Sequence, residues 1–141
     1  MKVVFICRRN RFRSQIAEGL FNHLAKDGSS ATSAGVDTLP EENNVLFCEY
    51  KNNKVKNTVE AMKNNGIDIS KKYAKEITPR ILEGTDKIIF LTDDKEKIPD
   101  WLYEYPYEHW KIDNFPGAPT LAKSEEVIHM LEGKIKNMLE D

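Results

Sequence analysis

The chain has 141 residues, 40% of them hydrophobic and 31% charged, with a formal net charge of −2 at pH 7. That length suits one domain, residues 1–141, with a single core, and the mixed composition excludes a disordered or membrane-spanning chain. The near-neutral balance argues against a general nucleic-acid binder; "MKVVFIC" is too short and too quickly charged for a signal peptide, and no run approaches the roughly 20 apolar residues of a membrane helix.

In chain order, "KVVFI" is a β-branched apolar run and predicts a buried strand. From Ser14 the apolar positions Ile16, Ala17, Leu20, Phe21 and Leu24 repeat at helical spacing, and "KDGSS" ends that helix. "ATSAGV" predicts a second strand. Residues 40–53 mix proline, asparagines and an apolar patch, and read as a long loop or insertion. Helical spacing resumes through Val55, Val59 and Met62 and stops at Gly66. A short helix is predicted around Ile81 and Leu82, then strands at "DKIIFLT" and "YEHWKI", then a helix from near Ser124 with the stripe Val127, Ile128, Leu131, Ile135 and Met138. Strands alternating with helices imply a parallel sheet covered on both faces, with ligands at the carboxyl ends of the strands.

Such an end falls at "CRRNRFRS", where Cys7 is followed by Arg8, Arg9, Arg11 and Arg13 just before a helix. Five residues between Cys7 and Arg13 suffice to curl the backbone into a cradle of N–H groups at a helix N-terminus, a natural oxyanion site. Arg13 is placed to return and grip two oxygens in a fork. Cys7 would lie beneath as nucleophile, since a positive cradle at a helix N-terminus can lower a cysteine pKa to roughly 3.5–7.5. A cysteine ending a strand is often a small buried hydrophobe, but that reading leaves the dense charge after it without a reason. Cys7 and Cys48 lie far apart, which suits a reducing cytoplasm, and with His23, His109 and His129 they show no metal-ligand spacing. Neither metal nor organic cofactor is expected.

The segment resembles the active-site loop of the low-molecular-weight protein tyrosine phosphatases and the related thioredoxin-coupled arsenate reductases, whose pattern is Cys-x-Gly-Asn-x-Cys-Arg-Ser before a helix. The match falls on Cys7, Asn10, Arg13 and Ser14, and continues through "TSAGV", "VEAMKNNGIDIS", "ITPRILEGTDKIIFLT" and "EHWKID". The resemblance implies a three-layer α/β/α fold with a four-stranded parallel sheet and an N-terminal phosphate-binding loop. It implies that Asn10 and Ser33 brace the loop, that Ser14 steadies the thiolate, and that Arg8, Arg9, Asn10, Arg11, Phe12 and Ser14 meet the substrate.

Three departures matter. Arg9 stands at the family's loop glycine, where a left-handed backbone would cost an arginine on the order of 1 kcal/mol or more. Phe12 replaces the second loop cysteine, so no disulfide can form within the loop, and no cysteine follows "IIFLT" to supply a thiol relay. The general acid, counted from Trp110, falls on Asn114 with Phe115 after it; Asp113, one residue early, is the acid only if the chain bulges. Trp101, Tyr103, Tyr105, Tyr107 and Trp110 could wall a phosphotyrosine pocket, and the tyrosines equally suit one face of a strand.

The expected activity is hydrolysis of a phosphotyrosine-like phosphomonoester by Cys7, Arg13 and Asp113 through a cysteinyl-phosphate. The partner is a phosphorylated protein or small phosphomonoester, with inorganic phosphate or sulfate also fitting the loop. Neither nucleic acid nor membrane is a partner. Arg11 disfavours a cationic substrate and suits an anionic one. Two alternatives stand beside this: arsenate reduction with an external thiol, and a catalytically weak phosphate- or phosphopeptide-binding module.

Overall fold

The computed structural model describes residues 1–140. Strand β1 (Lys2–Cys7) is buried from Val3 onward and lies in the middle of the sheet. It pairs in parallel with β2 (Ser30–Gly35) on one side and β3 (Lys87–Phe90) on the other, and β4 (Glu108–His109) closes the far edge, giving the order β2-β1-β3-β4. The three α-helices are α1 (Arg13–Leu24), α2 (Lys56–Asn64) and α3 (Leu121–Glu140).

Alternation along β1 sorts the core into two layers. Val3, Phe5 and Cys7 face Ile16, Leu20 and Phe21 of α1, Met62 of α2, and Val127, Leu131 and Ile135 of α3. Val4 and Ile6 face the other way, onto Ile77, Leu82 and Leu102. That third layer is built from short 3-10 helices, Pro79–Leu82 and Asp100–Glu104, where the sequence led one to expect a helix only around Ile81 and Leu82. Thr78 initiates the first of them, its side chain accepting from the Ile81 N–H, with Pro79 behind it.

Residues 40–53 are an ordered segment. The N–H groups of Asn44, Phe47 and Cys48 donate to the carbonyls of Ala74, Lys72 and Ser70, and Phe47 is buried against the core. The six residues of "YEHWKI" yield only a two-residue β4, extended by Trp110 N–H donating to the Phe90 carbonyl. Trp110 packs on Phe5. Tyr103 and Tyr107 lie against Phe90, with Tyr103 in a 3-10 turn, so the tyrosines do not share a strand. Among the described residues, no helix is long and apolar enough to cross a membrane.

Because β1 connects to β2 on one side while β3 lies on the other, the chain reverses direction across the sheet at the carboxyl end of β1. The crevice at such a switch point is where α/β sheets bind ligands. Loops following β1, β3 and β4 meet there.

Candidate active site

The loop from Cys7 to Arg13 runs straight from β1 into α1, with Phe12 as the cap residue and no side-chain cap bond. Among the described residues, the backbone N–H groups of Arg8 through Ser14 find no acceptor within the chain. Uncommitted donors at a helix N-terminus are what an oxyanion needs. The loop is pressed against β2: Val36 N–H donates to the Cys7 carbonyl and Asp37 N–H to the Arg8 carbonyl. Gly35 permits that approach, since a Cβ there would lie 2.6 Å from the Arg8 carbonyl oxygen and 2.6 Å from a Thr38 methyl.

The strain expected at Arg9 is not present. The one left-handed residue of the loop is Asn10, at φ 56°, and asparagine tolerates that region better than most side chains. Asn10 is fully buried and carries the loop's bracing. Its Nδ2 donates to Ser14 Oγ at 2.7 Å and to Ser33 Oγ at 3.0 Å, while its Oδ1 accepts from the Lys75 N–H at 3.0 Å. The Ser33 hydroxyl in turn donates to Glu18 Oε1 at 2.9 Å. Ser14 Oγ already accepts from Asn10, and Cys7 Sγ lies 2.9 Å away, so the Ser14 hydroxyl proton is left to be donated to the sulfur.

Arg13 is 2% exposed and spans the site. Its Nη1 donates to Glu96 Oε1 (2.6 Å) and to the carbonyls of Ile112 (2.9 Å) and Leu91 (3.2 Å), while Nη2 donates to Glu96 Oε2 (2.7 Å) and reaches Asn114 Oδ1 (3.4 Å). The fork expected to face an oxyanion is thus held by Glu96, whose side chain is 5% exposed. Nε, for which no partner is found among the described residues, is the donor left for a ligand; the second Nη2 proton faces Asn114 Oδ1. Burial opposes the charge on Arg13, but the Glu96 hydrogen bond and the fields of Cys7, Glu96 and Asp93 outweigh it and hold its pKa above the ordinary value. For Asp93, burial favours the neutral acid. Backbone donors from Asn114 and Lys95, with Arg13 nearby, outweigh that and lower its pKa.

A cavity of about 330 Å³ opens over Cys7 and Arg13, walled by Arg8, Arg9, Arg11, Phe12, Leu39, Lys54, Asn114, Phe115 and Pro116 among others. The predicted loop residues therefore converge, Asn10, Ser14 and Ser33 as its bracing rather than its wall. Three of the cations are already paired: Arg8 and Arg9 with Asp37, and Arg11 with Glu42 at 2.6 Å. Asp113 is the exception. The chain runs buried at Ile112, exposed at Asp113 and inward again at Asn114, and Asp113 is not part of the cavity wall. The bulge that would have turned it inward is precluded by use: the Ile112 carbonyl accepts from Arg13, and the Asn114 N–H donates to Asp93 Oδ2 at 3.1 Å. None of Trp101, Tyr103, Tyr105, Tyr107 and Trp110 lines this cavity.

Sequence reasoning missed Glu96 and Lys54. Each comes from a charge-rich stretch with no periodicity, and only its position after β3 hinted that Glu96 would reach the site.

Residues 2–141 match the family described as low molecular weight phosphotyrosine protein phosphatase. A curated arsenate reductase from Staphylococcus aureus is 31% identical over 118 residues, covering 83% of this chain and 80% of the relative. A glutaredoxin arsenate reductase from Synechocystis is 28% identical over 142 residues, covering 99% and 94%. Among solved structures, a low molecular weight protein tyrosine phosphatase from T. tengcongensis superposes with a TM-score of 0.73 at 28% identity, covering 99% of this chain and 98% of the other. With the four-stranded parallel sheet and the Cys7–Arg13 loop at its switch point, this chain belongs to the low molecular weight phosphotyrosine protein phosphatase family.

Proposed function

We propose that the protein is a cysteine-dependent hydrolase of aryl phosphomonoesters. The observation that carries this reading is Cys7 Sγ under the Ser14 hydroxyl, at the base of a cavity walled by Arg13 and the loop. The thiolate attacks phosphorus, the S–P bond forms, and the P–O bond to the aryl group breaks. Loop N–H groups and the unpaired Nε–H of Arg13 take up the charge on the equatorial oxygens. Water then attacks phosphorus, the S–P bond breaks, and phosphate leaves with the thiolate restored.

Among the described residues, no carboxyl group and no imidazole lines this cavity; Asp93 and Glu96 lie behind its wall, held to Asn114 and Arg13. The departing oxygen takes its proton from water, which favours aryl oxides, whose conjugate acids have a pKa near 10, over alkoxides. Water attacking the intermediate likewise lacks a base. The expected kinetics with p-nitrophenyl phosphate are a burst of p-nitrophenolate near one equivalent per enzyme, then slow turnover. Mass spectrometry of the quenched burst should find phosphate on Cys7. Cys7→Ser should abolish both; a Cys7→Ser variant that still hydrolyses the ester would refute the reading.

The same bare wall, together with relatives named arsenate reductase, favours a second activity at this cysteine. Thiolate attack on arsenate expels hydroxide. An external thiolate then attacks Cys7 Sγ, taking arsenic from the +5 to the +3 state as arsenite leaves and a mixed disulfide forms. A second external thiol reduces that disulfide. Cys48 is exposed and lies outside the cavity wall, so both thiols are external. Arsenate-dependent consumption of a low-molecular-weight thiol would be its signature.

A further inference from the structure

Five cations line the cavity over Cys7: Arg8, Arg9, Arg11, Arg13 and Lys54. Four of them have carboxylate partners, in Asp37, Glu42 and Glu96. Lys54 has none within ion-pair distance among the described residues. The residue is half-buried, and its ammonium has no internal counter-charge.

Its backbone is also fixed in place. The Lys54 N–H donates to Asn52 Oδ1 at 2.9 Å, a local turn that sets the direction of the chain into α2. Val55, next in sequence, is buried in the core. One turn on, Asn57 Nδ2 donates to the Pro119 carbonyl at 3.1 Å, tying the start of α2 to the loop after β4 that forms the opposite part of the wall. The same cavity is also lined by Phe12, Phe115, Pro116 and Pro119, a surface suited to an aromatic ring rather than to a second phosphate.

We infer that Lys54 forms a second anion subsite, and that the preferred substrates are aryl phosphomonoesters carrying a further carboxylate on the ring or its substituent. The inference rests on the phosphomonoester reading for its biological sense, but the subsite is a property of binding and can be measured without turnover. An uncompensated cation discriminates among ligands by charge, and the discrimination weakens as salt screens it.

The test uses the full chain with Cys7→Ser, which removes the thiolate nucleophile. Calorimetry compares 4-carboxyphenyl phosphate with its neutral isostere 4-carbamoylphenyl phosphate. The expected result is roughly tenfold tighter binding of the carboxylate, shrinking as ionic strength rises. In the Cys7→Ser, Lys54→Met background the ratio should fall towards one, and with Lys54→Arg it should recover. Equal affinities in the parent, or an undiminished ratio after Lys54→Met with the protein folded by circular dichroism, would overturn the subsite. Failure of the phosphatase reading shows separately, as absence of the burst in the wild-type chain.

Discussion

At the scale of single residues, the site depends on a few side chains that each do two things. Asn10 supplies the left-handed turn and the donors that orient Ser14 and Ser33. Asn10→Ala should lose both, lowering kcat with p-nitrophenyl phosphate more than tenfold and stability by about 2 kcal/mol or more. Glu96 holds Arg13 by both oxygens, so Glu96→Ala leaves a buried guanidinium without its counter-charge, at a cost of about 3–5 kcal/mol in chemical unfolding. Glu96→Gln should fall between, as one acceptor survives. Asp93 gives a pH dependence. Its pKa is lower folded than unfolded, so it stabilises the protein above its unfolded value of about 4 and loses that effect as pH falls through the folded value. Asp93→Asn should therefore destabilise the protein at pH 7, with the difference from wild type vanishing in acid. Cys7, Asn10, Arg13 and Ser14 could be read from the sequence because they sit in one short stretch with fixed spacing. Glu96 and Lys54 could not, since topology alone brings their separate loops to the sulfur.

At the scale of elements, β1, β2, β3, α1, α2 and α3 were legible from periodicity and apolar runs, and the rest were shaped by contacts distant in sequence. The strand expected at "YEHWKI" is short: β4 ends at His109, one further bond runs from Trp110 N–H to the Phe90 carbonyl, and beyond it the Ile112 carbonyl is turned to Arg13. Residues 40–53 lack the alternation that marks a strand, yet three backbone bonds to residues 70–74 dock them and bury Phe47. Phe47→Ala should undo that docking, costing about 3–5 kcal/mol if the segment cannot collapse onto the gap. Hydrogen exchange should accelerate first at residues 43–50, and the Arg11–Glu42 pair, at 2.6 Å, should be lost with them. If the thermal midpoint falls with no local change in exchange, the segment and the core unfold together.

At the scale of the whole molecule, one sheet separates two unequal coverings. The side facing α1, α2 and α3 holds the larger core, and the other is closed by 3-10 turns and aromatic side chains. The alternation of strands with helices implied that both faces would be covered, but short 3-10 turns carry too few residues to reveal a period, so the second covering was only partly visible. What joins these parts at the carboxyl edge is Arg13, whose guanidinium is bonded to Leu91 and Glu96 beyond β3 and to Ile112 beyond β4. The side chain meant to greet the ligand is thus also a bolt through three separate stretches of chain. Removing it would not yield an idle copy of the same molecule but one whose upper rim has come apart, whereas exchanging sulfur for oxygen at residue 7 leaves every one of those fastenings in place.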